Sequence, residues 1–524
     1  MEHVGAGSHS SLSSTTMSES VEPPFVVLSP RPSLRSQQGI EQDKGEPHEI
    51  EAETMPDAPM SHPPYKDSIS HKLPEEPEAC NTAEPSEACH TMESSHVESI
   101  MDEEPPWEMQ QMNIPDLKEM SLVESIPEGL YKDSHSSRRS IAESWLHLLD
   151  KANSSVHIAA FYFTLRGSNL EHSDSTDFQV FEQLKKLESK GVKLQIAVNA
   201  PQTSTQDTAD LAATGAEVRE VDLKLITGGI VHTKLWVVDQ KHLYLGSANM
   251  DWRSLSQVKE VGLSVENCSC LAQDAFRIFG VYWSLGGVDN SLPLYWPARL
   301  SALSSSHNPL HLKFNGVPVQ VYMSSAPAQI SARGRSDDLS AILSVIADAQ
   351  KLIYISVMDY LPLSEFPEPL RFWPAIDSAL RAAACTRGVQ VRLLVSCWKH
   401  SRAAMFTFLQ SLLMAVPKLT VSVQKIFTVP STAEQMKIPF ARVNHAKYMV
   451  TERAVYIGTS NWSENYFTQT AGVGLVVNQT GSEVKQGKET LQSQTEELFL
   501  RDWTSQYAST LSVDDVDVCP RGTY

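Results

Sequence analysis

The chain has 524 residues, too many for one average domain, so a folded region of more than one unit with additional tail is expected. Its formal net charge of −20 is concentrated at one end, because residues 1–120 hold 24 of the 63 acidic side chains but only 6 of the 43 Lys and Arg. The remainder is close to neutral, which argues against gripping long duplexes by charge, and no run of 18 or more apolar residues is present to cross a membrane as a helix.

Residues 1–115 are rich in Ser, Pro and Glu, and their apolar residues rarely cluster beyond Phe25-Val26-Val27-Leu28. Such a segment buries too little surface to offset its ordering entropy, so it is predicted to be a disordered tail, with docking to a partner as the alternative role. The N-terminus lacks the basic, apolar and small-residue order of a secretory signal, so the chain reads as unanchored and cytoplasmic. Seven Cys at irregular positions (80, 89, 268, 270, 385, 397 and 519) describe neither a disulfide scaffold nor a zinc site, and no metal or other cofactor is expected.

From about Leu122 the pattern changes. Helical spacing over 139–152 (Ile141, Trp145, Leu148, Leu149) leads to a strand over 156–163, then a helix over 178–190 and a strand over 191–198. That alternation predicts an α/β fold. The same order returns as a helix over 339–350, a strand over 352–358, a helix over 373–387 and a strand over 388–395. Gly191-Val192 and Gly388-Val389 stand 197 positions apart, as do Ile158 and Ile355. Two matches in one register indicate an internal duplication, with half-domains at 116–310 and 311–524.

A third correspondence involves polar residues that no core requires. His232-Thr233-Lys234 precedes an apolar strand ending at Asp239, followed by Gly246-Ser247-Ala248-Asn249; His445-Ala446-Lys447 precedes one ending near Glu452, followed by Gly458-Thr459-Ser460-Asn461. On a strand, residues two apart share a face, so each His and Lys are predicted to project together. Two such pairs facing one another supply a nucleophile, a proton donor and positive charge for phosphodiester cleavage. One imidazole attacks phosphorus and the other protonates the leaving oxygen, with His232 the preferred nucleophile and His445 the acid. Lys234 and Lys447 are expected on the non-bridging oxygens, assisted by Asn249, Asn461 and the hydroxyls of Ser247 and Thr459. Asp239 and Glu452 are read as carboxylates that orient a His. Gly246 and Gly458 are read as points of close backbone approach.

These residues resemble the HxKxxxxDxxxxxxGSxN motif of the phospholipase D superfamily, from about residue 121 to the C-terminus. Residues 122–130, 232–255 and 442–462 are similar to one branch, phospholipase D family members 3 and 4. The resemblance implies two duplicated α/β/α half-domains packed face to face, and a 5′-to-3′ exonuclease acting on single-stranded DNA or RNA. It also implies an endolysosomal or ER-lumenal location as the alternative to cytoplasm. Glu452 stands where the superfamily has Asp, as in that branch. The branch carries a membrane-spanning segment and a Cys pair that this chain lacks, so Cys268 and Cys270 are expected free unless Cys80 and Cys89 reach them, while Cys397 and Cys519 match a bridged pair. Sequons at Asn153, Asn267 and Asn478 suit a lumenal protein.

Phe161, Tyr162, Trp236, Trp252, Trp462, Tyr466 and Phe467 lie beside the motifs and are candidates to stack on unpaired bases, against core packing as the commoner role. The alternative functions are a phospholipase D-type lipid hydrolase or transphosphatidylase, which no basic amphipathic helix supports, and a catalytically silent binding module, which the filled motifs disfavour. A homodimer is left open.

Overall fold

The computed structural model describes residues 118–131, 138–167, 176–287, 291–364, 370–414, 422–481, 489–513 and 519. The tail, the apolar run at 25–28, Cys80 and Cys89 lie outside the described residues.

Strands β1 (Glu119–Ser125), β2 (Ser155–Ala160), β3 (Lys193–Asn199), β4 (Glu217–Val221), β5 (Leu235–Val238), β6 (His242–Gly246) and β7 (Glu260–Glu266) form a sheet in the order β1-β7-β6-β5-β2-β3-β4. Helices α1 (Ile141–Asp150), α2 (Thr176–Lys186) and α3 (Gln206–Ala213) connect its early strands, and α4 (Ser269–Leu285) follows β7. A second sheet contains β8 (Leu310–Phe314), β9 (Val317–Ala326), β10 (Leu352–Val357), β11 (Gln390–Ser396), β12 (Ser422–Phe427), β13 (Lys447–Thr451), β14 (Ala454–Gly458), β15 (Gly472–Asn478) and β16 (Ala508–Thr510). Its order is β8-β9-β15-β14-β13-β10-β11-β12-β16, with α5 (Asp338–Asp348), α6 (Ala375–Arg387), α7 (Ala403–Met414), α8 (Glu464–Thr468) and α9 (Leu491–Thr504).

Six consecutive positions agree: β7-β6-β5-β2-β3-β4 repeats as β15-β14-β13-β10-β11-β12. In each set three strands run parallel, β2 with β3 and β4, and β10 with β11 and β12. The others pair antiparallel. The crossover helices of the parallel strands cover one face of each sheet, as parallel pairing requires.

The sequence fits these elements with small shifts. α1 starts at Ile141 because Ser140 and Glu143 form a reciprocal capping box, with bonds of 3.1 and 2.8 Å. The strand predicted over 156–163 ends at Ala160, and Phe163–Thr164 pairs separately with Met250–Asp251. The helix predicted over 178–190 gives way after Lys186 to a 3₁₀ turn at Glu188–Lys190, closed by Gly191 in the left-handed region at φ 77°.

The apolar run Leu235-Trp236-Val237-Val238 accounts for how the layers meet. Alternate residues of a strand face opposite ways, so Trp236 and Val238 enter the outer core with Trp145, while Leu235 and Val237 enter an inner core. That inner core also contains Tyr448, Val450, Ile457 and Leu475 from the second sheet and Leu271, Phe279, Leu498 and Phe499 from α4 and α9. The two sheets therefore share one apolar layer. Trp145 and Trp236 are fully buried and stacked at 4.9 Å, and truncating either costs about 3–5 kcal/mol.

Charged groups join the same layers. Arg501 of α9 grips Glu124 of β1 with two 2.7 Å bonds, and Lys259 meets Asp502 at 2.6 Å with neither side chain accessible to water. Cys397 and Cys519 form a disulfide, as the resemblance implied. Cys270 is also disulfide-bonded, whereas Cys268 is a buried free thiol. Among the described residues, no helix is long and apolar enough to cross a membrane.

Candidate active site

The two motifs meet because each is stitched to the other half. His232 donates its backbone N–H to Ala471 O (2.9 Å), and Ala471 donates to Ile230 O (2.8 Å). In the matching place His445 donates to Lys259 O (2.8 Å), and Lys259 donates to Val443 O (2.9 Å). Each motif thus enters its strand paired with the lead-in to a strand of the other sheet, β15 for His232 and β7 for His445.

The structure brings His232, Lys234, His445 and Lys447 together, all with less than a tenth of their surface exposed. The strand geometry differs from expectation. β5 begins only at Leu235 and β13 at Lys447, and each Lys curls back to donate to the carbonyl of its own His, at 2.6 and 2.7 Å. Burial, then mutual repulsion, holds Lys234 well below the ordinary lysine range, while burial pushes Lys447 down to about 8. Burial likewise keeps His232 neutral, reinforced by Lys234, Lys447 and His445.

The histidines are not equivalent. His232 Nδ1 lies 2.9 Å from the Thr459 carbonyl, which only accepts, so the ring carries its proton on Nδ1 and leaves the Nε2 lone pair free. His445 Nδ1 lies 2.9 and 3.1 Å from the carboxylate of Glu260. Burial lowers His445 to about 4, opposed by Glu260 and aided by Lys447. Glu260 is inaccessible, and although burial raises it, His445, Lys447 and the Ser247 hydroxyl hold it below the usual carboxylate range.

Glu260 was missed by sequence reasoning, and it takes the task assigned there to Asp239 and Glu452. Those two lie at the far ends of their strands. Asp239 accepts from the backbone N–H groups of Asn153, Ser154 and Ser155 at 2.8 Å each, and Glu452 from Gln350, Lys351 and Leu352 at 2.7–3.1 Å. They fix the loops leading into β2 and β10 and orient no histidine. A signal for Glu260 existed. It follows Asn249 by 11 positions, as Gly472 follows Asn461, and it stands directly before the apolar run Val261-Gly262-Leu263. At Gly472 a Cβ would stand 2.2 Å from Ser460 Oγ, so the second half has no room there for a carboxylate.

The hydroxyls assigned to phosphate are also engaged elsewhere. Ser247 Oγ donates to Glu260 at 2.5 Å, and Thr459 Oγ1 accepts from Val473 N–H at 3.0 Å. Asn249 and Asn461 are buried in paired positions. Asn249 Nδ2 donates to Tyr162 (3.2 Å), and Asn461 Nδ2 to Tyr466 (3.2 Å) and Asp359 (3.3 Å). Gly246 and Gly458 make room for Tyr244 and Tyr456, whose hydroxyls sit 2.6 and 2.3 Å from where a Cβ would stand.

Of the aromatic candidates, Trp236, Trp462 and Phe467 are core residues. Tyr162 donates to Asp251 (3.1 Å), and Trp252 is part-buried against Gly167. Phe161 and Tyr466 flank His232, with ring centroids at 5.3 and 5.1 Å. Among the described residues, no group of three or more His, Cys, Asp or Glu is gathered to hold a metal.

The family model described as "PLD3/4, PLD-like domain" matches residues 133–432. The chain is 50% identical to "5'-3' exonuclease PLD3" of Xenopus laevis over 75% of this chain and 80% of that protein. It is 46% identical to "5'-3' exonuclease PLD4" of Mus musculus over 75% and 80%. Among solved structures, phosphatidylserine synthase from Haemophilus influenzae superimposes with a TM-score of 0.47 at 12% identity, over 71% of this chain and 85% of that one. With a filled pair of His and Lys motifs and half-identity to these relatives across three quarters of its length, the chain belongs to the PLD3/4 family of phospholipase D-like proteins.

Proposed function

We propose that this protein is a 5′-to-3′ exonuclease of single-stranded DNA or RNA that works through a phosphohistidine. The observation that carries the chemistry is the unequal pairing of two neighbouring histidines, His232 to a carbonyl and His445 to a carboxylate. The exonuclease reading draws on the activity printed in the names of its half-identical relatives.

Neutral His232 attacks phosphorus through Nε2, and the bond to the leaving oxygen breaks. Protonated His445, its charge balanced by Glu260, gives the departing oxygen its Nε2 proton and becomes neutral. Water then loses a proton to His445 and attacks phosphorus, releasing His232 and restoring the first state. Lys234, Lys447, Asn249 and Asn461 supply positive charge and hydrogen bonds around the phosphoryl oxygens.

Two further readings belong here. We assign 116–310 and 311–524 as half-domains, supported by the repeated strand order. We also assign an oxidising compartment of endolysosomal type rather than cytoplasm, supported by the disulfides at Cys397–Cys519 and Cys270. Since both histidines come from one chain, the site requires no second copy, and sedimentation would reveal a dimer.

The test presents purified protein with single-stranded oligonucleotides and, separately, with phosphatidylglycerol vesicles. Stepwise release of mononucleotides from the 5′ end, lost in His232→Ala and His445→Ala, is expected. A labelled phosphoenzyme should accumulate in His445→Ala and be missing in His232→Ala. Lipid turnover beside intact oligonucleotide would replace the nuclease reading with the lipid one.

A further inference from the structure

The duplication places two different residues beside the two matching asparagines of the site. Tyr162 and Asp359 stand 197 positions apart, the offset that relates the strands before them. In the first half Asn249 Nδ2 meets the Tyr162 phenol, and in the second Asn461 Nδ2 meets the Asp359 carboxyl instead. Asp359 is part-exposed, and its backbone carbonyl accepts from Trp462 N–H at 3.0 Å, which fixes it beside Asn461. A carboxyl group on the wall of a phosphate site needs an explanation, because it opposes the bound anion.

We propose that Asp359 sorts phosphate esters by charge: its carboxylate tolerates a monoanionic diester but repels dianionic monoesters and inorganic phosphate. Cleavage of a diester converts one negative charge on phosphorus into two, so a fixed anion nearby weakens product binding more than substrate binding. Lys447 and Arg402 face the carboxyl and favour its charged form, Asn461 and Tyr466 border it, and burial nevertheless pushes its pKa up to about 6. The discrimination therefore operates above pH 6 and fades below it. This deepens the phosphodiester chemistry proposed above and is independent of whether the alcohol is a nucleoside or a lipid.

The test measures binding of inorganic phosphate and of dimethyl phosphate by their effect on thermal melting, which needs no turnover, in wild type and Asp359→Asn. The substitution is isosteric and keeps an acceptor for Asn461. At pH 7.5 the variant should bind inorganic phosphate on the order of tenfold more tightly, from one removed charge at contact range, and dimethyl phosphate by about the square root of that factor. At pH 5 both differences should vanish. The wild type alone gives a second reading, since its preference for dimethyl phosphate over inorganic phosphate should grow as pH rises from 5 to 7.5. Equal gains for both anions, or none at pH 7.5, would overturn the proposal. Failure of oligonucleotide cleavage with the expected phosphate binding would count only against the nuclease reading.

Discussion

Replacing Glu260 by Gln tests whether the histidine roles are set by their partners. The carboxylate lies 2.9 and 3.1 Å from His445 Nδ1 in a site closed to water. With charge centres about 4 Å apart and an effective dielectric near 20, losing the negative charge removes about 4 kcal/mol of support for protonated His445. That corresponds to a fall in turnover on the order of a thousandfold. A Gln amide that presents N–H to Nδ1 also favours the tautomer with its proton on Nε2, which cannot accept one from water. Hydrolysis of the intermediate should suffer most, so rapid-quench experiments with labelled substrate should find phosphate accumulating on His232. Because Glu260 raises the His445 pKa, its loss should also move the fall in kcat/KM with rising pH to lower pH. A variant that melts normally, turns over within threefold of wild type and keeps its pH profile would refute this reasoning.

In the wild type, His445 must be protonated and has a pKa of about 4 in the empty site, so kcat/KM should fall about tenfold per unit as pH rises above about 5. A flat stopped-assay profile to pH 8 would contradict this. Asp239→Ala should cost about 1–3 kcal/mol in chemical denaturation by orphaning the loop N–H groups it holds, with kcat of the folded protein nearly unchanged. Lys259→Met should destabilise by about 1.5–3 kcal/mol in the same assay, because buried Asp502 loses its ammonium partner but keeps Arg501 and the Tyr131 hydroxyl. Removing Cys397–Cys519, whose partners are separated by 122 residues, should cost up to about 5 kcal/mol of chain entropy, read as a lower Tm in Cys397→Ala.

The sequence carried most of the fold, since apolar periodicity located α1, β2, α6 and β11 to within a few residues, and the recurrence of Gly191-Val192 as Gly388-Val389 exposed the duplication. It also picked out the two His and Lys pairs, because polar residues repeated at matched spacing have no reason to recur in a core. Partners were a different matter. Whether a carboxylate reaches an imidazole depends on which strand ends adjoin across 185 residues of chain, as between Glu260 and His445, and no local pattern encodes that adjacency. Hence Asp239 and Glu452, next to the motifs in sequence, went to loop backbones at the far ends of their strands, and Ser247 turned to Glu260. The difference between the two histidines, like the contrast of Tyr162 with Asp359, arose only when the sheets closed over a common core and brought non-identical copies of one motif to face each other.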